Sequence, residues 1–258
     1  VAVKLNDLQQ HSKYPLLVAA DLETGAGFRF RGAVHIPTNI VLGGATTFPS
    51  LMAFGAAGDL GYAYELGRIT ALEARTMGVH VPFAPVLDVN NNPDNPIINI
   101  RSFGEDPSAV ADLGVAFVQG LQGHGAEATV KHFPGHGDTE TDSHLALPII
   151  RIERERLDAI ELVPFRAAID AGIQGIMTAH IAVPEISGET IPATLSEAVL
   201  TSLLRNDLGF DGIIFTDAMD MDAVDRLFPR GEAPVLAVLA GADVILMPRG
   251  VKQAIDIL

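Results

Sequence analysis

The chain has 258 residues, with 17 Lys plus Arg against 32 Asp plus Glu and a formal net charge of −15. Phosphate backbones and anionic lipid surfaces would be repelled, so neither nucleic acid nor membrane is expected as a partner. Cysteine is absent, which rules out disulfides, thiolate metal ligands and a thiol nucleophile. The longest apolar runs are strand-length, well short of the ~20 residues of a membrane helix, and the N-terminus lacks the basic-then-apolar pattern of a secretion signal. In chain order, a helix is predicted over 1–11, a buried strand over 16–20, a helix over 58–77, a strand over 79–89, a helix over 108–123 and a strand over 128–133. There follow a helix over 151–171, strands over 175–181, 212–217 and 243–247, helices over 196–208 and 231–240, and a last helix beginning near 251. The segment 221–229 reads as a loop.

Val/Ile/Leu-rich runs without alternation are buried parallel strands, and their alternation with helices predicts βαβ units. The expected fold is a single α/β domain over 1–258, a (β/α)8 barrel of the TIM type incomplete at its termini and drawn from a longer chain. Almost every strand ends in ionisable residues: Asp21 and Glu23, Asp88, Lys131 and His132, His180, Asp217. In a barrel these C-terminal ends converge on one mouth, so groups far apart in sequence meet there. A doubly wound open sheet, which also gathers ligands at strand C-termini, is the alternative.

The segment Lys131-His132-Phe133-Pro134-Gly135-His136-Gly137-Asp138-Thr139-Glu140-Thr141-Asp142-Ser143-His144 runs a strand into a Gly- and Pro-rich loop crowded with ionisable groups. Functional loops on rigid scaffolds have this composition. Together with Phe83-Ala84-Pro85-Val86-Leu87-Asp88, Arg101-Ser102-Phe103-Gly104-Glu105-Asp106-Pro107, Met177-Thr178-Ala179-His180 and Phe215-Thr216-Asp217-Ala218-Met219, it resembles bacterial β-N-acetylglucosaminidases of glycoside hydrolase family 3 over nearly the whole chain.

The resemblance implies a retaining exo-β-N-acetylglucosaminidase that needs no cofactor or metal. Asp217, in Thr-Asp-Ala-Met, takes the part of nucleophile. An ionised carboxylate at a strand end suits attack on an anomeric carbon, although the same residue could instead cap the following turn, and Asp220 and Asp222 compete for the role. His144 becomes the acid/base, paired with Asp142, which would select one imidazole tautomer and favour its protonated form. Sugar binding is implied for Asp21, Arg29, Arg101, Lys131 and His132. Near the start, Asp21-Leu22-Glu23-Thr24-Gly25-Ala26-Gly27 departs from the family's usual run with Gln, two glycines and Arg, so Arg29 or Arg31 is expected to supply the missing basic group. Arg101 has an alternative as a loop clamp on Glu105 or Asp106, and His132 as a satisfied barrel residue.

The Gly-Asp-Thr…Asp-Ser-His loop favours this branch over family-3 β-glucosidases. Those enzymes, and transfer of the sugar to phosphate, remain the nearest alternatives. A metal-dependent hydrolase using His132, His136, Asp138, Asp142 and His144 is a further reading, as is a non-catalytic carbohydrate-binding barrel. The resemblance implies a carbohydrate substrate, with recycled cell-wall fragments in the cytoplasm as the setting, or export where a signal peptide precedes the domain; oligomeric state is not legible.

Overall fold

The computed structural model describes the backbone of residues 1–35 and 39–258 and the side chains of residues 1–30 and 44–258. Helix α1 (Ala2–His11) leads into strand β1 (Ala19–Ala20), an antiparallel hairpin of β2 (Arg31–His35) and β3 (Asn39–Gly44), then α2 (Leu51–Ala57) and α3 (Leu60–Met77). Next come β4 (Val81–Pro82), α4 (Pro107–Gln122), β5 (Thr129–Phe133), α5 (Arg154–Ala159), α6 (Leu162–Asp170) and β6 (Gly175–Thr178). After them lie α7 (Pro184–Ser187), a π-helical stretch (Ala198–Asp207), β7 (Ile213–Phe215), α8 (Asp222–Asp225), α9 (Glu232–Ala240) and α10 (Val251–Ile257). None of the described helices is long and apolar enough to cross a membrane.

Local chemistry sets these boundaries. Asp59 and Asp106 cap α3 and α4 by accepting from the amides of Gly61 and Ala109, and Val110, Leu113, Phe117 and Leu121 form the buried stripe of α4. The single helix predicted over 151–171 is two. Pro164 would clash with the carbonyl four residues back, at Ile160, so α5 ends there and α6 restarts with the proline in its first turn. The strand predicted over 79–89 pairs only at β4 and again at Val86, because Pro82 and Pro85 have no amide to donate to a ladder. At 243–247 pairing is reduced to one bridge, Phe215 with Val244, and the Thr216 hydroxyl takes the Leu246 amide in place of a strand carbonyl.

β1 pairs with β4, and β5, β6 and β7 pair in sequence, all parallel. Backbone bonds from Thr129 N to Ala84 O and Leu87 N to Lys131 O join the two groups. Six parallel segments therefore follow one another in chain order, without the reversal that a doubly wound sheet requires. The series is curled. Phe83 and Phe215 lie three strands apart, roughly 14 Å on a flat sheet at ~4.8 Å per strand, yet their ring centroids are 5.4 Å apart. Val81, Phe83, Met177 and Phe215 fill the concave side, and the larger core lies between strands and helices. Among the described residues no hydrogen bond returns from 243–246 to β1. These residues thus form a curled α/β sheet of sequential parallel strands, short of the closed eight-stranded barrel predicted.

Candidate active site

At the C-terminal ends of the curled strands lies a cavity of about 460 Å³ lined by Asp21, Arg29, Arg101, Lys131, His132, His144 and Asp217. Of the residues to which the resemblance assigns catalysis or sugar binding, only Asp142 is not in its wall, and it bonds to His144 from outside it; the strand-end residues Asp88 and His180 also lie outside the wall. The 110 residues separating Asp21 from Lys131 are thus spanned by the strand series.

One wall is a chain of buried charge. Lys131 Nζ is 2.8 Å from Asp21 Oδ1 and 2.8 Å from Glu23 Oε1, and among the described residues its third N–H has no assigned acceptor. Arg101 grips Glu23 with two bonds, Nη2 to Oε1 at 2.8 Å and Nε to Oε2 at 3.0 Å, while Arg29 donates to Asp21 Oδ2 at 2.7 Å from the exposed rim. Burial opposes ionisation of Glu23, but Lys131 and Arg101 outweigh it and hold the carboxyl well below the usual carboxylate range. Burial likewise works against the Lys131 ammonium, and Glu23 and Asp21 reverse it, raising its pKa. Behind this wall His132 Nδ1 lies 2.7 Å from Asp88 Oδ2, and Asp88 Oδ1 accepts the His136 amide at 2.6 Å. Burial presses the His136 imidazole down to about 4, so it is neutral near pH 7.

Asp217 follows β7. Its Oδ1 accepts the Ala218 amide at 2.7 Å, and among the described residues Oδ2 accepts from no protein donor. Burial raises its pKa, but His132, His180, the Ala218 amide and Lys131 overcome that and leave it below the ordinary carboxylate value, hence ionised. His180, buried and shifted down by desolvation, is fixed between Thr194 Oγ1 at 2.8 Å and the Ala218 carbonyl at 3.0 Å, steadying the turn that carries Asp217. On the loop after β5, Asp142 Oδ1 accepts from His144 Nδ1 at 2.7 Å and from the His144 amide at 2.8 Å. That bond assigns the Nδ1 proton to the Asp142 side and leaves Nε2 for proton exchange. The geometry can therefore offer an anionic oxygen and a proton-shuttling nitrogen to one ligand.

A family model, Glycosyl hydrolase family 3 N terminal domain, matches residues 2–258. The chain belongs to glycoside hydrolase family 3. It is 38% identical to Beta-hexosaminidase A of Pseudoalteromonas piscicida over 96% of this chain and 42% of that one. It is 33% identical to a Beta-N-acetylglucosaminidase/beta-glucosidase of Cellulomonas fimi, covering 98% of this chain and 44% of the relative. The solved family-3 β-N-acetylglucosaminidase from Paenibacillus sp. str. FPU-7 superposes with a TM-score of 0.88 at 44% identity, over 98% of this chain and 47% of that one. The chain spans less than half the length of these three relatives.

Within this family-3 site the structure decides several alternatives left open by sequence. Arg101 is not a clamp on Glu105 or Asp106: it turns inward to Glu23, and Asp106 is used as the α4 cap. Asp222 opens α8 and pairs with Arg226, away from the cavity, whereas Asp220 does line it. Arg31's side chain lies outside the described residues, and Arg29 reaches Asp21. The metal reading fails on donor use. Both ring nitrogens of His136 are taken by Thr139 Oγ1 and Ser143 Oγ, at 2.7 and 2.9 Å, and Asp138 pairs with Arg156, so the five residues do not face a common point. Glu23, Asp88 and His136 are buried parts of the site to which the resemblance assigned no role: the first two were expected only as strand-end groups at the mouth, and His136 only as a metal ligand. For Glu23 a signal existed in its place beside Asp21 just past the end of a strand, although the chain turns there and strand alternation does not itself set its direction.

Proposed function

We propose that this chain is the catalytic domain of a retaining exo-β-N-acetylglucosaminidase that removes terminal β-linked GlcNAc, with the curled sheet completed as a (β/α)8 barrel. The observation that carries the reading is the meeting, in one cavity, of an ionised Asp217 with an uncommitted oxygen and a His144 whose Nδ1 is held by Asp142 while Nε2 is open. Asp217 attacks the anomeric carbon as the glycosidic C–O bond breaks, and the departing oxygen takes a proton from His144 Nε2. Water then attacks the same carbon, releasing Asp217 and giving its proton back to Nε2, so configuration is retained. Asp21, Arg29, Arg101, Lys131 and His132 orient the sugar through hydroxyl and carbonyl oxygens. Because Lys131 and Arg101 already neutralise Asp21 and Glu23, the wall offers donors without a large net charge, which suits an uncharged sugar. The relatives' names support the acetamido sugar; cell-wall fragments in the cytoplasm are the proposed setting.

A second reading, β-glucosidase activity, is favoured by the double name of the Cellulomonas fimi relative. The test compares an aryl β-N-acetylglucosaminide with the matching β-glucoside, in the presence and absence of phosphate, for wild type, Asp217→Ala and His144→Ala. We expect preference for the acetamido sugar, free GlcNAc as product in both buffers, and loss of turnover in Asp217→Ala. Preference for the glucoside or a sugar phosphate product moves the chain to the corresponding alternative; full activity in both variants contradicts the site assignment.

A further inference from the structure

The loop that bears Asp142 and His144 is exposed along most of its length. From Glu140 to Ala146 only the Ser143 side chain is buried. Its hydroxyl lies 2.9 Å from His136 Nε2, and its carbonyl accepts the Ala223 amide at 3.4 Å. His136 is itself immobilised. Its amide donates to Asp88, its carbonyl accepts from Asn95 Nδ2 at 2.8 Å, and Nδ1 is 2.7 Å from Thr139 Oγ1. The Thr139 hydroxyl donates to the His136 carbonyl at 3.0 Å, so its single proton is used. With that proton so used, the neutral imidazole donates from Nδ1 to Thr139 and accepts at Nε2 from the Ser143 hydroxyl; in the other tautomer Nε2 donates to Ser143, and the bond stands either way.

The Asp142–His144 pair cannot place itself. Its side chains are 27% and 56% exposed, and an ion pair this solvated contributes little to fixing a loop. The Arg156–Asp138 pair is 3.3 Å long and also solvated, the Ala223 amide bond is long at 3.4 Å, and the Asn95 bonds hold the loop only as far as Thr139. A hydrogen bond between residues only 2% and 3% exposed, at the wall of the cavity, is the stronger constraint. It acts on the residue between the dyad members.

We propose that His136 and Ser143 are positioning residues, whose buried hydrogen bond holds Asp142 and His144 over the cavity. This rests on the reading of that dyad as the acid/base. The test measures kcat/KM on two aryl β-N-acetylglucosaminides, one with an activated nitrophenol and one with a poor leaving group, for wild type, Ser143→Ala and His144→Ala, with amide hydrogen exchange over 138–146 and Tm as checks. In Ser143→Ala we expect about a tenfold fall on the poor leaving group, little change on the activated one, faster exchange in the loop, and a Tm lowered by only a few degrees with the cooperative transition kept. Equal losses on both substrates, or wild-type leaving-group dependence together with wild-type exchange, would overturn the positioning role while His144→Ala still discriminates between the leaving groups. A His144→Ala protein that treats both leaving groups alike would overturn the dyad reading, and the positioning role with it.

Discussion

Glu23→Gln tests the buried charge wall. The variant keeps the shape of the side chain but removes the anion between Lys131 and Arg101, leaving Asp21 as the only carboxylate against Lys131 and Arg29. A surface pair of the same geometry provides the control: Arg68 grips Glu65 at 2.8–2.9 Å, as tightly as Arg101 grips Glu23. What differs is burial, since Glu23 is 6% exposed and Glu65 49%. Removing one member of a buried pair leaves its partners desolvated and unpaired, which costs about 3–5 kcal/mol; because Gln still hydrogen-bonds, about 3 kcal/mol is expected. For a domain of this size that is a fall in Tm of roughly 6–12 °C. Thermal unfolding followed by circular dichroism, with Glu65→Gln beside it, is the assay. Glu65→Gln should melt with wild type; a Glu23→Gln protein that also melts with wild type would refute the argument that this wall is held together by buried charge.

Other outcomes follow from the same geometry. His136 has a folded-state pKa of about 4 against an ordinary 6.5, so the unfolded chain binds the extra proton first. Stability is then full above pH 6.5 and is lost as pH falls toward 4, by about 2 kcal/mol at pH 5, visible as a lower urea midpoint than at pH 7. A midpoint that rises on acidification would contradict the buried neutral histidine. Gly137→Ala sets a Cβ 1.8 Å from the Val89 carbonyl oxygen; it should displace the loop and depress activity, whereas Gly125→Ala, with nothing within 4 Å of its Cβ but a φ of +81°, should lower Tm while leaving activity unchanged. Asp142→Asn should lower kcat/KM on poor leaving groups by about 100-fold or more while sparing activated ones; parallel Brønsted plots for variant and wild type would exclude Asp142 from proton transfer.

The strand series was readable because buried parallel strands announce themselves as apolar runs, and most of the ionisable residues closing those runs line the cavity, with Asp88 and His180 buried behind it. Interruptions were harder to see. Pro164 splits a helix whose apolar periodicity runs on across the break, and Pro82 and Pro85 leave gaps in a strand that hydropathy alone draws as continuous. The β2–β3 hairpin and α2 lie where 21–57 shows no strong period, and they went unread. Pairing partners were the least legible. Arg101 chooses Glu23, 78 residues away, over two acids within five residues of it, because the distant partner is buried and the near ones are solvated. Local spacing cannot express that preference.

The claim that Asp217 forms a covalent bond to the sugar is open to one direct measurement. A fluorinated N-acetylglucosaminyl fluoride, whose fluorine slows the oxocarbenium-like steps while its good leaving group preserves the first, should accumulate as a glycosyl-enzyme. Proteolysis and tandem mass spectrometry should then find one sugar, on the peptide containing Asp217 and on that carboxylate. A sugar on Asp220 instead, or an unlabelled protein that turns the substrate over with inverted configuration, would contradict the account.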